Sequence, residues 1–446
     1  MYSFRPTVPG VYFQEIFREP ESEFITGVPA FVGYTKYGPP NKPIRLKLWP
    51  EFTDMLCREQ STEESITEFI NRFQGKHHIP YVEDILEYVS SRKESKGSFY
   101  LYSALKGFFN NDGRLCYVIS LEQDISMEKA LRKALKELES LEIVDLICVP
   151  DIVGVGNKIS QMQNMQRMVL DHCHRKGDRF AILDAPDLST EENPIEAILE
   201  YREELHGDSG ALYFPWIKIQ NDIDRSEGYY VPPCGHIAGV YARSDRENGF
   251  HKAPANEILE GVIDLQFPDK ELVEFYSYCD KETGEPSSGI NLLRIFRGRG
   301  IRIWSARTLS NEPLWRYISV RRLFLTVTRW IRSNLADVVF ETNDYKLWVR
   351  IERELTAYFE SLRLEGALQG SAPQEAFYVK CNAENNPPEY RDEGKVVTEI
   401  GLAPTIPNEF IIVFLVHGAT GVSLNLPPSD LNSHPFSRQL FDQRLN

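Results

Sequence analysis

The chain has 446 residues, a formal net charge of -15, 42% hydrophobic and 26% charged side chains. At ~100–200 residues per lobe that length points to two or three lobes, and the acidic balance excludes general nucleic-acid binding, which needs clustered cations. Seven scattered cysteines without C-x-x-C spacing exclude a disulfide framework and read as reduced thiols of a cytosolic protein.

The first residues, MYSFRPTVPGVYFQEI, show no basic stretch followed by an apolar one, so no signal peptide is expected. Pro6 and Pro9 disfavour helix, and VYFQEIF alternates as a strand does, so 1–22 reads as an extended arm. GVPAFVGYT (27–35) predicts a strand, and 41–97 is polar and mostly helical in pattern. Residues 23–110 are expected to form a small lobe. From there to about 310, strands are predicted at CYVIS, VDLICVP, RFAILDAP, ALYFPWIKI and GIRIW, with the strong helix former MEKALRKALKELESLE between the first two. Apolar strands separated by helices indicate a parallel sheet covered on both faces, an α/β central domain over 111–310.

Two long helices follow. Asn311 and Pro313 suit the start of the first, and the second starts near Asn343 and ends by Gly366 or Gly370. Strands at AFYVKC, KVVTEIGLA and EFIIVFLV complete an α+β domain over 311–416, and 417–446 reads as a polar tail. The longest apolar run, Phe410–Val416, falls far short of the ~20 residues that span a bilayer.

Chemistry-bearing motifs are few. GVGNK (154–158) lacks the second glycine of a phosphate loop. In DHCHR, His172 and His174 lie two apart, about 200° on a helix, so they do not converge on a metal. No G-x-S-x-G turn serves the isolated His236. No catalytic residue, metal site or cofactor is therefore expected, although an α/β hydrolase-type enzyme using Cys173 or Cys234 with a nearby His remains the competing reading.

The strongest local signal lies between Asn291 and Arg332: ten arginines, no lysine and a single acid, Glu312. At 100° per residue, Arg321, Arg322, Arg329 and Arg332 share about a 100° arc of one helix, opposite Val320, Leu323, Phe324, Val327 and Ile331. Two readings stand. The arginines pair internally, for instance with the acidic run Asp187–Glu204, or they face another protein, where arginine binds carboxylates in a fork.

Taken in order, PGVYFQEI, GVPAFVGYT, FFNNDGRLCYVIS, RFAILDAP, ALYFPWIKI, VPPCGHIAGVYARSDRENGFHKAPANEILEGV, GINLLRIFRGRGIRIWSARTLS, WRYISVRRL, GALQG, AFYVKC and IGLAPTIPNEFIIV resemble the contractile tail sheath family of phages and phage-tail-like injection particles. The likeness is strongest after residue 231 and poorest across 41–97, and Ser305 stands where many relatives have Gly. The resemblance implies a structural protein with a subtilisin-like central domain lacking a working triad. It implies copies stacked in hexameric rings around an inner tube, with baseplate and tail-terminator proteins as further partners, made in a bacterial cytoplasm. On this likeness Val11, Tyr12, Phe13 and Ile16 belong to an N-terminal linking strand, and Phe410, Ile411, Ile412, Val413 and Phe414 to a C-terminal one. Arg321, Arg322, Arg329 and Arg332 become candidates for facing the tube. A specialised end-ring or baseplate-proximal sheath-like subunit is the alternative within the family.

Overall fold

The computed structural model describes residues 24–35, 37–53, 97–155, 159–220, 228–268, 272, 289–338, 341–407, 414–418 and 421–425. The chain divides into a large unit, residues 1–405, and a second unit, 406–446.

The large unit is built on an eight-stranded sheet in the order β11-β10-β6-β5-β4-β1-β3-β2. Its strands are β1 Pro29–Gly33, β2 Pro43–Leu46, β3 Cys116–Ser120, β4 Leu146–Cys148, β5 Phe180–Asp184, β6 Gly210–Phe214, β10 Ile290–Phe296 and β11 Gly300–Ile303. The six inner strands run parallel, while β2 and β11 join antiparallel at the two edges. β1, β5 and β6 are buried along their whole length, as a sheet covered on both faces demands. Helices α1 (Gly97–Asn110), α2 (Met127–Leu138), α3 (Ile159–Lys176), α4 (Pro194–Glu203) and α5 (Cys234–Asn248) accompany it. In α2 the buried residues Ala130, Leu131, Ala134, Leu135 and Leu138 recur with helical period. α5 lies close against α1 because it presents glycines: a Cβ on Gly235 would come 2.0 Å from the Ala104 oxygen.

Two further helices, α6 (Ile318–Asn334) and α7 (Tyr345–Leu364), lead to a two-stranded antiparallel sheet of β12 (Phe377–Lys380) and β13 (Glu399–Leu402). α7 starts at Asp344, whose carboxylate accepts from the Lys346 and Leu347 amides, and it buries Leu347, Ile351, Leu355 and Leu362 along one stripe of helical period. These elements form a second, smaller core. α6 belongs to both cores. Ile318 and Leu325 enter the large one, whereas Leu323 and Val327 enter the small one with Leu355 and Phe359.

Several expectations are corrected. ALYFPWIKI is two strands in two sheets, because Pro215 lacks the amide a continuous ladder needs; its second half, β7 (Ile217–Ile219), pairs with β8 (Tyr229–Val231) and β9 (Val262–Leu265). Residues 43–46 are a strand within the stretch read as mostly helical, and GINLLRIF is the inner strand β10. Pro313 opens a 3-10 turn, and α6 begins only at Ile318. There the Ile318 amide bonds the Ala306 carbonyl and the Thr308 amide the Arg316 carbonyl, which holds Tyr317 extended. In the second unit the segment expected to start a tail forms a hairpin, β14 (Phe414–Gly418) with β15 (Gly421–Asn425). Among the described residues no helix is long and apolar enough to cross a membrane.

Candidate interaction site on the arginine-rich segment

The ends of three neighbouring parallel strands set up the first half of this region. Asp145 immediately precedes β4, Asp178 lies just before β5, and Asp208 just before β6. The fourth acid, Asp245, stands in the last turn of α5. α6 brings an arginine to each. Arg322 is 2% exposed and grips Asp245 with two hydrogen bonds of 2.7 and 2.6 Å, while its second terminal nitrogen stands 3.5 Å from Asp145. Its guanidinium also lies 4.9 Å from the Tyr241 ring centre. Burial opposes the positive charge, but Asp245 and then Asp145 outweigh it and hold Arg322 above the ordinary arginine range.

Arg329, 5% exposed, donates to the Ile25 carbonyl at 2.7 Å and the Ile143 carbonyl at 3.0 Å, 3.9 Å from Asp145 and stacked over Phe24. Asp145 in turn accepts from the Gly27 and Val28 amides at 2.9 and 2.6 Å. Arg321 approaches Asp208 at 3.3 Å and lies over Trp315. Arg332 reaches Asp178 at 3.0 Å, with its side chain 54% exposed. Four cations and four acids thus close on one another inside a single chain.

This overturns the outward reading for most of the helix. Arg322 and Arg329 are interior, Arg321 is largely covered, and only Arg332 keeps an accessible guanidinium. The physical reason is that α6 packs on both sides, so the face opposite its Leu323 and Val327 stripe meets the central domain and not solvent. The acids are not those of the run Asp187–Glu204 suggested by the sequence. A signal for the right ones exists: Asp145, Asp178 and Asp208 each stand at the start of a predicted strand. Val11, Tyr12, Phe13, Ile16, Phe410, Ile411, Ile412 and Val413 lie outside the described residues, and Phe414 opens β14.

The thiol–histidine pairs of the enzyme reading have no exposed, electropositive setting to activate a thiolate. Cys173 and Cys234 are fully buried; burial pushes the Cys173 thiol up to about 12 and raises Cys234 well above its usual range. Burial also lowers His236 to about 3 and His172 to about 4. His174, two residues along α3, is near Asp208 instead, at 3.6 Å. Among the described residues no cluster of His, Cys, Asp or Glu is arranged to hold a metal ion.

The N-terminal half of the segment behaves differently. In the β10–β11 hairpin, Leu293, Ile301 and Ile303 are buried on the core side. Arg294 pairs across the ladder with Arg302, and Phe296 with Gly300, so both arginines and Phe296 share the other face. Phe296 and Trp304 rings lie 4.4 Å apart, with the Arg299 guanidinium 5.9 Å from Phe296. Arg297 and Arg299 are exposed at the tip, and Arg302 donates to the Arg299 and Asn256 carbonyls. Among the described residues none of Arg297, Arg299 and Arg302 forms an ion pair.

An α/β sheet is thus locked to a helical layer through buried ion pairs. The phage tail sheath protein central domain matches residues 128–309, and the phage tail sheath C-terminal domain matches residues 310–416. The chain belongs to the phage tail sheath family. It is 25% identical over 242 residues to a putative prophage major tail sheath protein of Pseudomonas aeruginosa (strain UCBPP-PA14), covering 54% of this chain and 58% of that protein. It is 23% identical over 213 residues to the tail sheath protein of Salmonella phage ViI, 47% of this chain and 32% of that protein. The match thus spans about half or less of these two relatives. Among solved structures, the helical sheath of the anti-feeding prophage in its contracted state is similar with a TM-score of 0.64 and 25% identity, over 93% of this chain and 100% of that one. The PVC sheath of an extracellular contractile injection system, also contracted, shares the fold with a TM-score of 0.63 and 24% identity, over 94% and 99%.

Proposed function

We propose that this chain is the structural subunit of a contractile sheath, stacking as hexameric rings around an inner tube and shortening to drive that tube through a target envelope. The observation that carries the reading is the consecutive match to the sheath central and C-terminal domains across residues 128–416. Likeness to a contracted sheath over 93% of the chain supports it. The tube, baseplate and terminator proteins are the partners, and assembly takes place in a bacterial cytoplasm before the particle acts or is released.

The central domain has a subtilisin-like layout without a working triad, in keeping with the sealed Cys234 and His236 at the start of α5. The segments around Val11–Ile16 and Phe410–Phe414 link neighbours by strand addition. Support comes from the β12–β13 sheet, in which each strand has one open edge among the described residues, flanked by exposed Tyr378, Val396 and Val397. Contact of α6 with a tube runs through Arg332 and its surroundings. Such an exposed pair is worth only ~0–1 kcal/mol, so it is readily released on contraction.

Negative-stain electron microscopy of the full chain, alone and with its inner tube, tests the reading. Hollow striated cylinders or hexameric rings, lost on deleting residues 1–20, are expected. A stable monomer in both samples overturns it.

A further inference from the structure

The outward hairpin has the composition of an interface core: exposed arginines beside two aromatic rings packed at a tilt, on a strand pair. It also carries unbalanced charge. From Asn291 to Asn311 the sequence has five arginines and no acid, and the three considered above form no ion pair among the described residues. A chain of net charge -15 has its compensating surface elsewhere.

That surface is the segment 187–204, which leads into and forms α4. It holds Asp187, Glu191, Glu192, Glu196, Glu200, Glu203 and Glu204, all exposed. Its one cation, Arg202, points inward and donates to the Leu205 and Leu309 carbonyls. Glu204 is the single acid of the seven in an ion pair among the described residues, a loose 3.8 Å contact with Arg167. No ion pair among the described residues joins the hairpin to this segment within one chain.

We propose that the hairpin face formed by Phe296, Arg297, Arg299, Arg302 and Trp304 docks onto the acidic segment 187–204 of a second copy of this chain. Hairpin against hairpin repels, and so does acid against acid, so each hairpin meets an acidic segment; joined head-to-tail, a pair of copies keeps one free patch of each kind. A contact of that type propagates, whereas a self-complementary one closes a dimer. The inference rests on the self-assembly reading above and gives that assembly one of its lateral contacts, formed by side chains and independent of the terminal segments.

Charge exchange in the full chain tests it. One variant carries Arg297→Glu and Arg299→Glu, a second carries Glu191→Lys and Glu192→Lys, and a third carries all four. Thermal unfolding of each is compared with the parent, because all four positions are exposed and their folding stability is expected to be unchanged. By sedimentation velocity, each two-site variant is expected to need about tenfold more protein to associate, which is ~1.4 kcal/mol. The four-site variant recovers association, and an equal mixture of the two-site variants associates where each alone does not. Added salt weakens association of the parent. Association of both two-site variants at the parent's concentration overturns the proposal while leaving the sheath reading intact. A four-site variant no better than the two-site ones assigns the hairpin to a different acidic partner and equally overturns it. A parent that stays monomeric at every concentration tested overturns the docking and the ring-forming function together.

Discussion

Within 42 residues of one another the chain uses arginine in two opposite ways. On α6, arginine is an internal fastener: Arg322 and Arg329 lie in the interior, tied to Asp245, Asp145 and the Ile143 and Ile25 carbonyls. On the β10–β11 hairpin, arginine is displayed beside Phe296 and Trp304. The difference lies in the scaffold beneath. A hairpin at the sheet edge has one buried face and one open face, whereas a helix wedged between two cores has none that is fully open. Identical side chains therefore hold the subunit together in one place and are available to a neighbour in the other.

The comparison breaks most visibly at Arg322. Arg322→Ala leaves Asp245 buried without its cation and Asp145 with Arg329 alone at 3.9 Å, and removing one partner of a buried pair costs about 3–5 kcal/mol. Urea unfolding is expected to show that loss; an effect below 1 kcal/mol would mean that α6 is not the fastener described. Gly27 tests the same joint from the backbone side. Its φ is +71°, and an added Cβ would sit 2.7 Å from the Ala242 Cα. Gly27→Ala is expected to destabilise by about 1–3 kcal/mol in thermal melts, combining left-handed strain with a backbone clash.

Asp184 supplies the contrast of a buried acid that forms no ion pair among the described residues. Burial raises its carboxyl from 3.8 to about 7, opposed by hydrogen bonds from Cys234. The folded chain then keeps a proton that the unfolded chain releases at lower pH, so stability falls as pH rises from about 4 to about 7, and the penalty is complete above that. Asp184→Asn keeps an acceptor for the Cys234 amide, so it is expected to be more stable than the parent at pH 8. That gap should close towards pH 4 in denaturant titrations; a constant gap would refute the titration.

Arg332 sits between the two regimes, because its partner Asp178 also holds Arg179 at 2.7 Å. Arg332→Ala is expected to cost ~0–1 kcal/mol of folding stability. The smallest effect belongs to Arg297→Ala, within about 0.5 kcal/mol of the parent in unfolding. A larger loss there would show that the hairpin tip has an internal structural role.

Much of the fold was legible in the chain. β1, β3, β5 and β11 were visible as apolar or alternating runs, and α7 as a stripe from Leu347 to Leu362, because burial on two faces or on one leaves a period in the sequence. The long succession of motifs from PGVYFQEI to IGLAPTIPNEFIIV was enough to indicate the sheath family. What failed did so for local or long-range reasons. β10 was missed although its hairpin partner was seen, and α6 was started too early, because the pairing of Ala306 and Thr308 with residues 316–318 is invisible in a helical pattern.

The fate of the ten arginines marks the division between sequence and tertiary structure. Sequence alone determined that four of them share one helix face and that the stretch holds almost no acid, so that carboxylate partners come from elsewhere. Whether that partner lies inside or outside the chain depended on where α6 packs. Its register over the starts of β4, β5 and β6 brings Asp145, Asp178 and Asp208 within reach, and those acids lie more than a hundred residues away in sequence. Ion pairing between such distant positions leaves no periodic trace, since charge has no pitch; only the packed helix decides which carboxylate an arginine meets.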